Sequence, residues 1–358
     1  MAATTHPEYN IDTEGLTVAR DFADRIHGKT ILITGANLEG IGFSTAQAFA
    51  SGSPAQLILC GRNPSKVQAV IDALKAEFPA VDYRSLQVDL SRQQSVRAAA
   101  KTLLAWDDVP AVHIVVNSAG IMCVPERTLS EEGIELHFAT NHIGHWLLTN
   151  LIMPKLIKAA ESSPRGDVRI VNVSSRSPTG SGPRFSDINF EVKNGDLPEE
   201  EKPDEAMFRF WGYENIMDKA YLPLDGYSRS KVANVLFSVG ATDRLYEKYG
   251  ILSIALHPGI IGTDLARAFP ESEKRAMEAA FASGKTKKRP LSMGASTSLV
   301  AALDPKLKVE SKPGQENYGV YLEDCQISDR ARPAAVSSQN ADILWSLSEK
   351  LVGQTFSW

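Results

Sequence analysis

Tyr227 and Lys231 form the pair of residues in this sequence best suited to moving a proton. The stretch YSRSK (227–231) separates them by four positions, and that spacing places both side chains on one face of a helix. A free tyrosine has a pKa near ~10, and a neighbouring ammonium group favours the phenolate and lowers that pKa. Such a proton donor is what a carbonyl oxygen needs when a hydride is added to its carbon. The alternative is two polar residues on the outside of a helix, and the upstream sequence decides between them.

A glycine-rich turn, TGANLEGIG (34–42), follows the first apolar run of the chain. Glycines let backbone amides approach a pyrophosphate closely, and the N-terminus of the following helix stabilises its negative charge. The strict pattern G-x-G-x-x-G is absent, because Gly40 and Gly42 are followed by Thr45. The position of the turn between a strand and a helix favours a dinucleotide cradle over glycines that only cap a helix or make a turn.

The end of the second apolar run, LILCGRNPSK (57–66), contains Arg62 and no acidic residue. In dinucleotide-binding folds an acid near this point bonds the ribose 2′-hydroxyl, whereas an arginine can hold a 2′-phosphate. We therefore expect NADP(H) as the cofactor rather than NAD(H). The alternative is that Arg62 is merely an exposed loop cation.

Apolar runs and helical patterns alternate along most of the chain. Such alternation predicts an α/β fold with a doubly wound parallel sheet of the Rossmann type. Strands are predicted at 29–35, 55–61, 83–90, 113–120, 168–175 and 252–259, and helices at 42–51, 64–78, 92–105, 130–160 and 227–248.

Ser174 and Ser175 stand at the end of the fifth predicted strand. A hydroxyl group there can orient a substrate oxygen and stabilise its developing charge. Neighbouring residues of a strand point to opposite faces, so only one of the two can serve Tyr227. We expect Ser175 in this role, with Ser174 as the fallback.

Two long segments depart from the alternation. Residues 176–226 are rich in proline, glycine and charge, and residues 266–358 form a tail with helical segments and one strand-like run, YGVYLED. Long segments of this kind inside a domain are often functional. We expect an N-terminal arm over 1–27 and a single domain over 28–358, in which the insert and the tail shape a substrate pocket.

The insert contains an aromatic stretch, FRFWGY (208–213). Aromatic faces suit a bulky ring system, so Phe210 and Trp211 are predicted to contact the substrate. The alternative is that this stretch simply anchors a surface loop on the core.

Composition narrows the choice of partners. The net charge is −5 and no long basic run occurs, so nucleic acid is not expected as a partner. Cys60, Cys123 and Cys325 lie far apart, which argues against a disulfide framework or structural zinc and fits a reducing compartment. The polar N-terminus lacks a signal core and no apolar run reaches 18 residues. We expect a cytoplasmic protein with a small-molecule substrate and no transmembrane segment.

Other chemistries are less well supported. His142 and His145 lie three positions apart, but no third ligand is evident, so no metal is expected. The stretches HGKT (27–30) and SGKT (283–286) lack the upstream glycine of a phosphate-binding loop, which argues against nucleoside triphosphate hydrolysis. GYSRS (226–230) lacks the final glycine of a serine hydrolase elbow.

Seven motifs stand in a recognisable order on the chain. Together they resemble the short-chain dehydrogenase/reductase family, and in particular its retinol-dehydrogenase-like and WW-domain-oxidoreductase-like branch, which includes many fungal members. The resemblance covers roughly residues 28–265. The motifs are TGANLEGIG (34–42), VDLS (88–91), NSAG (117–120), NHIGHWLLT (141–149), IVNVSS (170–175), YSRSK (227–231) and HPGIIGTDL (257–265).

The resemblance implies a role for each matching residue. Tyr227 would give or take the proton with Lys231 as its partner, and Ser175 would bond the substrate oxygen. Asn141 would sit in a helix and hold a water that links Lys231 to solvent, although a helical asparagine can also just bond nearby backbone. Asp89 would contact the adenine, Asn117 would line the cofactor, and Ile261 and Thr263 would meet its nicotinamide end. The full implied set of cofactor-binding residues is Gly35, Asn37, Leu38, Gly40, Ile41, Gly42, Arg62, Lys66, Asp89, Leu90, Asn117, Ala119, Gly120, Tyr227, Lys231, Pro258, Gly259, Ile261 and Thr263.

The chain departs from the family pattern in three places. Gly35 and Gly40 enclose four residues instead of three, and Glu39 stands where many NADP-dependent members have a basic residue. The acid weakens the expected preference for NADP(H). Ser175 and Tyr227 are 52 positions apart, more than is usual, so the substrate pocket cannot be inferred from a relative.

These observations lead to one expected function and one alternative. The expected function is an NADP(H)-dependent oxidoreductase that interconverts a carbonyl and an alcohol on a lipophilic or polycyclic small molecule. The alternative is a non-catalytic NADP-sensing or partner-binding regulatory protein on the same fold. The substrate, the favoured direction and the formation of a homo-oligomer are left open.

Overall fold

A mostly parallel sheet forms the centre of the protein in a computed structural model, which describes residues 3–263, 265, 269–284 and 287–358. Parts of the predicted tail and of the motif HPGIIGTDL lie outside the described residues. Eight of the described strands join in one sheet with the order β10-β9-β6-β5-β4-β1-β2-β3, in which only β9 and β10 pair antiparallel. Its strands are β1 (Thr30–Thr34), β2 (Gln56–Gly61), β3 (Asp82–Gln87), β4 (Ile114–Asn117), β5 (Arg169–Val173), β6 (Leu252–His257), β9 (Tyr321–Glu323) and β10 (Gln326–Ile327).

The expected Rossmann-type fold is therefore confirmed, because the strand order 3-2-1-4-5-6 is the order of a doubly wound sheet. The late strand-like run in the tail supplies β9, which extends the sheet beside β6. Two further strands, β7 (Glu310–Lys312) and β8 (Gln315–Tyr318), form a separate antiparallel hairpin.

The central strands are buried because helices cover both faces of the sheet. Every residue of β1, β4, β5 and β6 is buried, which explains their continuous apolar runs. In β1, Ile31 and Ile33 pack on one face and Leu32 on the other. The sheet thus separates two apolar cores, each closed by its own layer of helices.

One face of the sheet is covered by helices from the N-terminal part and the tail. They are α1 (Gly15–Asp21), α3 (Ile41–Ser51), α4 (Pro64–Glu77) and α12 (Ser296–Leu303), with α2 (Ala23–Ile26) and α11 (Leu291–Gly294) beside them. The opposite face is covered by α5 (Gln93–Leu104), α6 (Gly144–Leu151), α7 (Met153–Ala160), α9 (Pro223–Tyr249), α13 (Pro333–Val336) and α14 (Ser338–Val352). The remaining described α-helices are α8 (Glu205–Phe210) and α10 (Glu271–Ala282).

The predicted helix over 130–160 differs most from the structure. The observed helix begins only at Leu136, continues as a π-helical turn from Phe138 to Ile143, and is interrupted at Ile152 between α6 and α7. The residues before it instead form a short bridge between Leu129 and Glu135. Periodicity alone could not show this, because apolar spacing is shared by the two helices and by the turn between them.

The insert 176–226 is held against α9 by buried charges. Arg229 in α9 pairs with Asp225 over 2.9 Å and donates to the main-chain oxygens of Gly182 (2.9 Å) and Glu201 (2.7 Å). These bonds reach across the whole insert, so its backbone is anchored at several points. Among the described residues, none of the helices has the length and apolar character needed to cross a membrane.

Candidate active site

Tyr227 and Lys231 lie in the second and third turns of α9, facing the end of β5. Both side chains are buried, with exposed fractions of 6% and 3% for the whole residues. Lys231 Nζ lies 5.7 Å from the centre of the Tyr227 ring and donates to the main-chain oxygen of Val173 over 2.8 Å. The four-residue spacing therefore places the two groups on one helix face, beside the carboxyl end of a central strand.

The adjacent serines at the end of β5 have different partners. Ser174 Oγ donates to the main-chain oxygen of Lys231 over 2.6 Å. Ser175 Oγ instead donates to Ser177 Oγ over 2.8 Å and forms a hydrogen bond with Tyr227. The structure thus brings Ser175, and not Ser174, to the phenol of Tyr227.

Burial dominates the acid–base properties of the pair. It raises the pKa of Tyr227, an effect that the hydrogen bond with Ser175 partly offsets. It also lowers the pKa of Lys231 to about 7. Removal of the phenolate from water is the largest contribution to the pKa of Tyr227, so the net direction is opposite to the lowering expected from a neighbouring lysine. At neutral pH the phenol therefore keeps its proton, while Lys231 exchanges one readily.

Asn141 lies in the π-helical turn that precedes α6 rather than in a regular α-helix. Its side chain accepts from the N–H of Ile121 over 2.9 Å and donates to Ser230 Oγ over 2.9 Å. A Cβ atom placed on Gly120 would lie 3.3 Å from Asn141 Oδ1 and 3.5 Å from Lys231 Nζ. Asn141 thus joins the loop after β4 to α9, directly beside Lys231.

The glycine-rich turn forms a cradle at the end of β1. Gly35 has φ = +76°, and a Cβ atom there would lie 2.6 Å from Ala119 Cα. A Cβ atom on Gly42 would lie 2.5 Å from the oxygen of Gly35. Gly40 precedes α3, whose first turn receives no side-chain cap. A tight turn that leads into an uncapped helix N-terminus fits the pyrophosphate of a dinucleotide.

A cleft of about 540 Å³ opens beside this cradle. Its walls come from the turn after β1, the loop after β6 and the inner face of α10. Gly259 at the start of that loop has φ = +95°, which lets the chain turn sharply after β6. The lining residues are Leu38, Glu39, Ile260, Ile261, Gly262, Thr263, Met277, Phe281, Lys288 and Leu291. The cleft thus contains Leu38, Ile261 and Thr263 from the predicted cofactor set.

The residues predicted for the adenosine end lie at the ends of β2 and β3. Arg62 and Lys66 are exposed, and the described residues give neither side chain a hydrogen bond or an ion pair. Asp89 is half-buried, and its Oδ1 accepts from the N–H (3.0 Å) and hydroxyl (2.7 Å) of Ser91. Leu90 is buried beneath it. Two cations are therefore available where a 2′-phosphate would lie.

Asn117 is more deeply buried than its predicted role suggested. Its amide nitrogen donates to Asn172 Oδ1 over 2.8 Å and to Thr149 Oγ1 over 3.2 Å. These bonds connect β4 to β5 and α6. Ala119, two positions further on, lies against Gly35 of the cradle, and Gly120 lies near Lys231.

Glu135 and His137 form a buried pair that sequence reasoning did not identify. His137 Nδ1 lies 2.7 Å from Glu135 Oε1, and His137 Nε2 accepts from the N–H of Val124 over 3.2 Å. The His137 ring packs edge-on against the Tyr227 ring at 6.5 Å between centres. Two polar residues two positions apart carry no signal of burial, so only the tertiary structure shows that they support Tyr227.

One part of the aromatic stretch 208–213 is buried in the core, and another part lies at the surface. Phe208 is fully buried with Ile216 and Leu222, whereas Phe210 is 47% exposed and packs edge-on against Trp211. The described residues that line the cleft include neither Phe210 nor Trp211.

The helical histidines are each bonded to a neighbouring side chain. His142 Nε2 lies 2.8 Å from Ser348 Oγ, and His145 Nε2 lies 2.8 Å from Thr34 Oγ1. In the part of the chain that the structure describes, no three His, Cys, Asp or Glu residues group as metal ligands.

The fold and the site together define a nicotinamide-dependent oxidoreductase: a dinucleotide cradle and a buried Ser–Tyr–Lys cluster meet at the carboxyl edge of a Rossmann-type sheet. The family described as "short chain dehydrogenase" matches residues 29–186. "Oxidoreductase fscI" of Fusarium equiseti is 36% identical over 250 residues, which are 69% of this chain and 93% of that protein. "Retinol dehydrogenase 14" of Mus musculus is 32% identical over 338 residues, or 92% of this chain and 87% of that one.

A solved structure of an uncharacterized protein from Mycobacterium Paratuberculosis superimposes with a TM-score of 0.62 at 26% identity, covering 93% of this chain and 96% of that one. This chain belongs to the short-chain dehydrogenase/reductase family. Its similarity to retinol dehydrogenases and to fungal oxidoreductases confirms the branch suggested by the motifs.

Proposed function

We propose that this protein is an NADP(H)-dependent oxidoreductase that interconverts a carbonyl and an alcohol on a lipophilic small molecule, with Tyr227 as general acid and base. The observation that carries the proposal is the buried cluster of Ser175, Tyr227 and Lys231 beside the glycine-rich cradle. A protein that only senses the cofactor has no need of this cluster. The non-catalytic alternative therefore has no structural support.

In carbonyl reduction the side chains act on the substrate oxygen. The bound nicotinamide would supply the hydride to the carbonyl carbon. The Ser175 hydroxyl donates to the carbonyl oxygen and holds it near the phenol of Tyr227. Tyr227 then gives its proton to the oxygen as negative charge develops there. In alcohol oxidation the same proton returns to Tyr227.

Lys231 supports this proton transfer in two ways. Its ammonium form stabilises the phenolate that remains after Tyr227 has given up a proton. Because burial brings the pKa of Lys231 to about 7, the lysine can also pass on a proton at neutral pH. Asn141 lies beside Lys231 and is proposed to hold the water through which this proton reaches solvent.

The preference for NADP(H) rests on two cations. Arg62 and Lys66 are exposed at the edge where a 2′-phosphate would lie, and neither is neutralised by a described residue. Glu39, in the wall of the cleft, opposes this preference because its carboxylate would repel the 2′-phosphate. The remaining cofactor contacts are proposed for the cradle, for Asp89 and for the loop from Pro258 to Thr263.

The lipophilic substrate is proposed from the walls of the cleft. Ile260, Met277 and Phe281 offer apolar surface next to the nicotinamide end of the cofactor site. Several relatives of this chain are retinol dehydrogenases, and retinol is itself a lipophilic alcohol. A cytoplasmic location stays a prediction from the cysteine content.

A spectrophotometric screen tests the proposed function. Oxidation of NADPH and NADH is followed with a panel of lipophilic ketones and aldehydes, and the reverse reaction with the matching alcohols. Tyr227→Phe should keep cofactor affinity while lowering kcat by about 10²–10⁴. Tyr249→Phe, at the far end of the same helix, is the matched control and should leave kcat unchanged. A Tyr227→Phe variant with more than half of the wild-type kcat would contradict the assignment, and no turnover of any compound would favour the non-catalytic alternative.

A further inference from the structure

Glu273 on α10 is a buried carboxyl group that receives no conventional hydrogen bond from the residues the structure describes. The residue is only 1% exposed, and neither carboxyl oxygen receives a hydrogen bond of normal geometry from the described residues. Burial of a polar group without a partner costs free energy, and such groups in native proteins usually serve a purpose. The other acidic residues of α10, Glu271 and Glu278, are exposed. Glu273 is therefore buried, whereas the other two acidic residues of α10 face solvent.

The carboxyl group lies near the catalytic tyrosine. The thiol of Cys123 contacts it as a weak donor, and the same thiol acts electrostatically on Tyr227. Cys123 is fully buried and interacts electrostatically with both Glu273 and Tyr227, so the carboxyl group is coupled to the tyrosine through the protein interior. Burial raises the pKa of Glu273 to about 7, which the weak bond from Cys123 only partly offsets.

The inner face of α10 also lines the cleft. Glu273, Met277 and Phe281 are spaced by four residues and therefore share one face of the helix. Met277 and Phe281 line the cleft beside the cradle, and Glu273 lies one turn earlier on the same face, where it is buried and interacts with Cys123. Lys274 and Arg275, which follow Glu273 in α10, are exposed. The helix thus covers the space above the cofactor site with apolar side chains and a single acceptor group.

We propose that Glu273 is a specificity-determining residue that accepts a hydrogen bond from a hydroxyl group of the substrate, in addition to the oxygen that reacts at Tyr227. The substrate is then a hydroxylated lipophilic carbonyl compound, or the corresponding alcohol with a second hydroxyl. A neutral hydroxyl fits better than a cation, because Lys288 lies in the cleft wall and Lys231 beside Tyr227. This inference rests on the proposed function of the same site.

A binding experiment tests the role of Glu273 independently of turnover. The probes are positional isomers of hydroxy-1-tetralone, whose phenolic hydroxyl is not oxidised by the cofactor, and their methoxy counterparts, which cannot donate. Dissociation constants are measured by calorimetry on the protein saturated with NADP⁺, which has no hydride to give. The wild type should bind the best hydroxy isomer at least about tenfold more tightly than its methoxy counterpart. Glu273→Leu should reduce this ratio to about one.

Glu271→Gln is the matched control, because Glu271 lies on the same helix and is exposed. It should keep the wild-type ratio. Equal binding of hydroxy and methoxy probes to the wild type, no binding of either, or a ratio that survives in Glu273→Leu would each overturn the proposal. The same ketones are then assayed with NADPH. A hydroxyl preference that depends on Glu273 without any NADPH oxidation would leave this inference standing and contradict the proposed oxidoreductase function instead.

Discussion

Lys231 and Ser174 form reciprocal side-chain to main-chain hydrogen bonds between α9 and the end of β5. Lys231 Nζ donates to the main-chain oxygen of Val173 over 2.8 Å, while Ser174 Oγ donates to the main-chain oxygen of Lys231 over 2.6 Å. The helix that carries Tyr227 and Lys231 is thereby held against the end of β5, directly before Ser175. Two neighbouring serines consequently have separate tasks, one structural and one directed at Tyr227.

Alanine substitutions at Ser174 and Ser175 should separate these tasks. Ser175→Ala removes the donor to the substrate oxygen and should lower kcat by about 10²–10³ with little change in Tm. Ser174→Ala breaks a buried hydrogen bond and should destabilise the fold by about 1–3 kcal/mol while most of the activity remains. Each variant is the other's control, and both are measured by steady-state kinetics and thermal melting. A larger loss of kcat in Ser174→Ala would reverse the assignment.

Arg62→Asp should shift the cofactor preference toward NAD(H). The substitution replaces an attractive contact with the 2′-phosphate by a repulsive one. We expect kcat/KM for NADPH relative to NADH to fall by at least about tenfold. Lys75→Asp makes the same change of charge near the far end of the helix that begins at Pro64, and should leave the ratio unchanged. An unaltered ratio in Arg62→Asp would mean that Glu39 or Lys66 dominates the recognition instead.

The fold could be predicted because short, local sequence patterns mark its buried strands. The apolar runs that became β1, β5 and β6 are continuous, and strands buried on both faces require such runs. The helix over 130–160 was predicted less well, because the chain folds into a π-helical turn and two helices there. Pro154, two positions after Ile152, is a helix-breaking signal for this interruption, and apolar periodicity alone does not include it.

The site could be predicted only in part, because sequence does not show how deeply a side chain lies. The spacing of Tyr227 and Lys231 identified the pair, but the opposite pKa shift of Tyr227 arises from its burial. In α10, the acids at 271, 273 and 278 look equivalent in the sequence. Their difference depends on which face of the helix the rest of the protein covers.

Phe210 and Trp211 are predicted to contribute to recognition of a bulky substrate rather than to stability. The helix that carries Phe210 lies over the loop that leaves Ser175, since a Cβ atom on Gly180 would lie 2.7 Å from Met207 Sδ. Phe210→Ala and Trp211→Ala should raise KM for the best bulky substrate severalfold with little change in Tm. Phe208→Ala is the packing control, because Phe208 is fully buried and its loss should cost about 3–5 kcal/mol. Unchanged KM in both variants would show that the aromatic stretch only anchors the insert.

Glu273 should stabilise the protein more at acidic pH than at neutral pH, whereas a carboxyl group whose pKa is lowered by folding has the opposite effect. Its pKa in the folded protein is about 7, above the ordinary value of 4.5, so the folded state binds the proton more tightly than the unfolded state. The stabilisation of the folded protein by this proton is fully present below pH 4.5 and is lost as the pH rises through about 7. Glu273→Gln removes this dependence, because glutamine does not ionise. The free energy of unfolding of Glu273→Gln minus that of the wild type should therefore rise by about 1–3 kcal/mol between pH 4.5 and pH 8. Urea unfolding of both proteins at both pH values measures this difference. Glu271→Gln, which removes an exposed carboxyl, should follow the wild type at both pH values, and a Glu273→Gln curve parallel to the wild type would show that the carboxyl is not buried in solution.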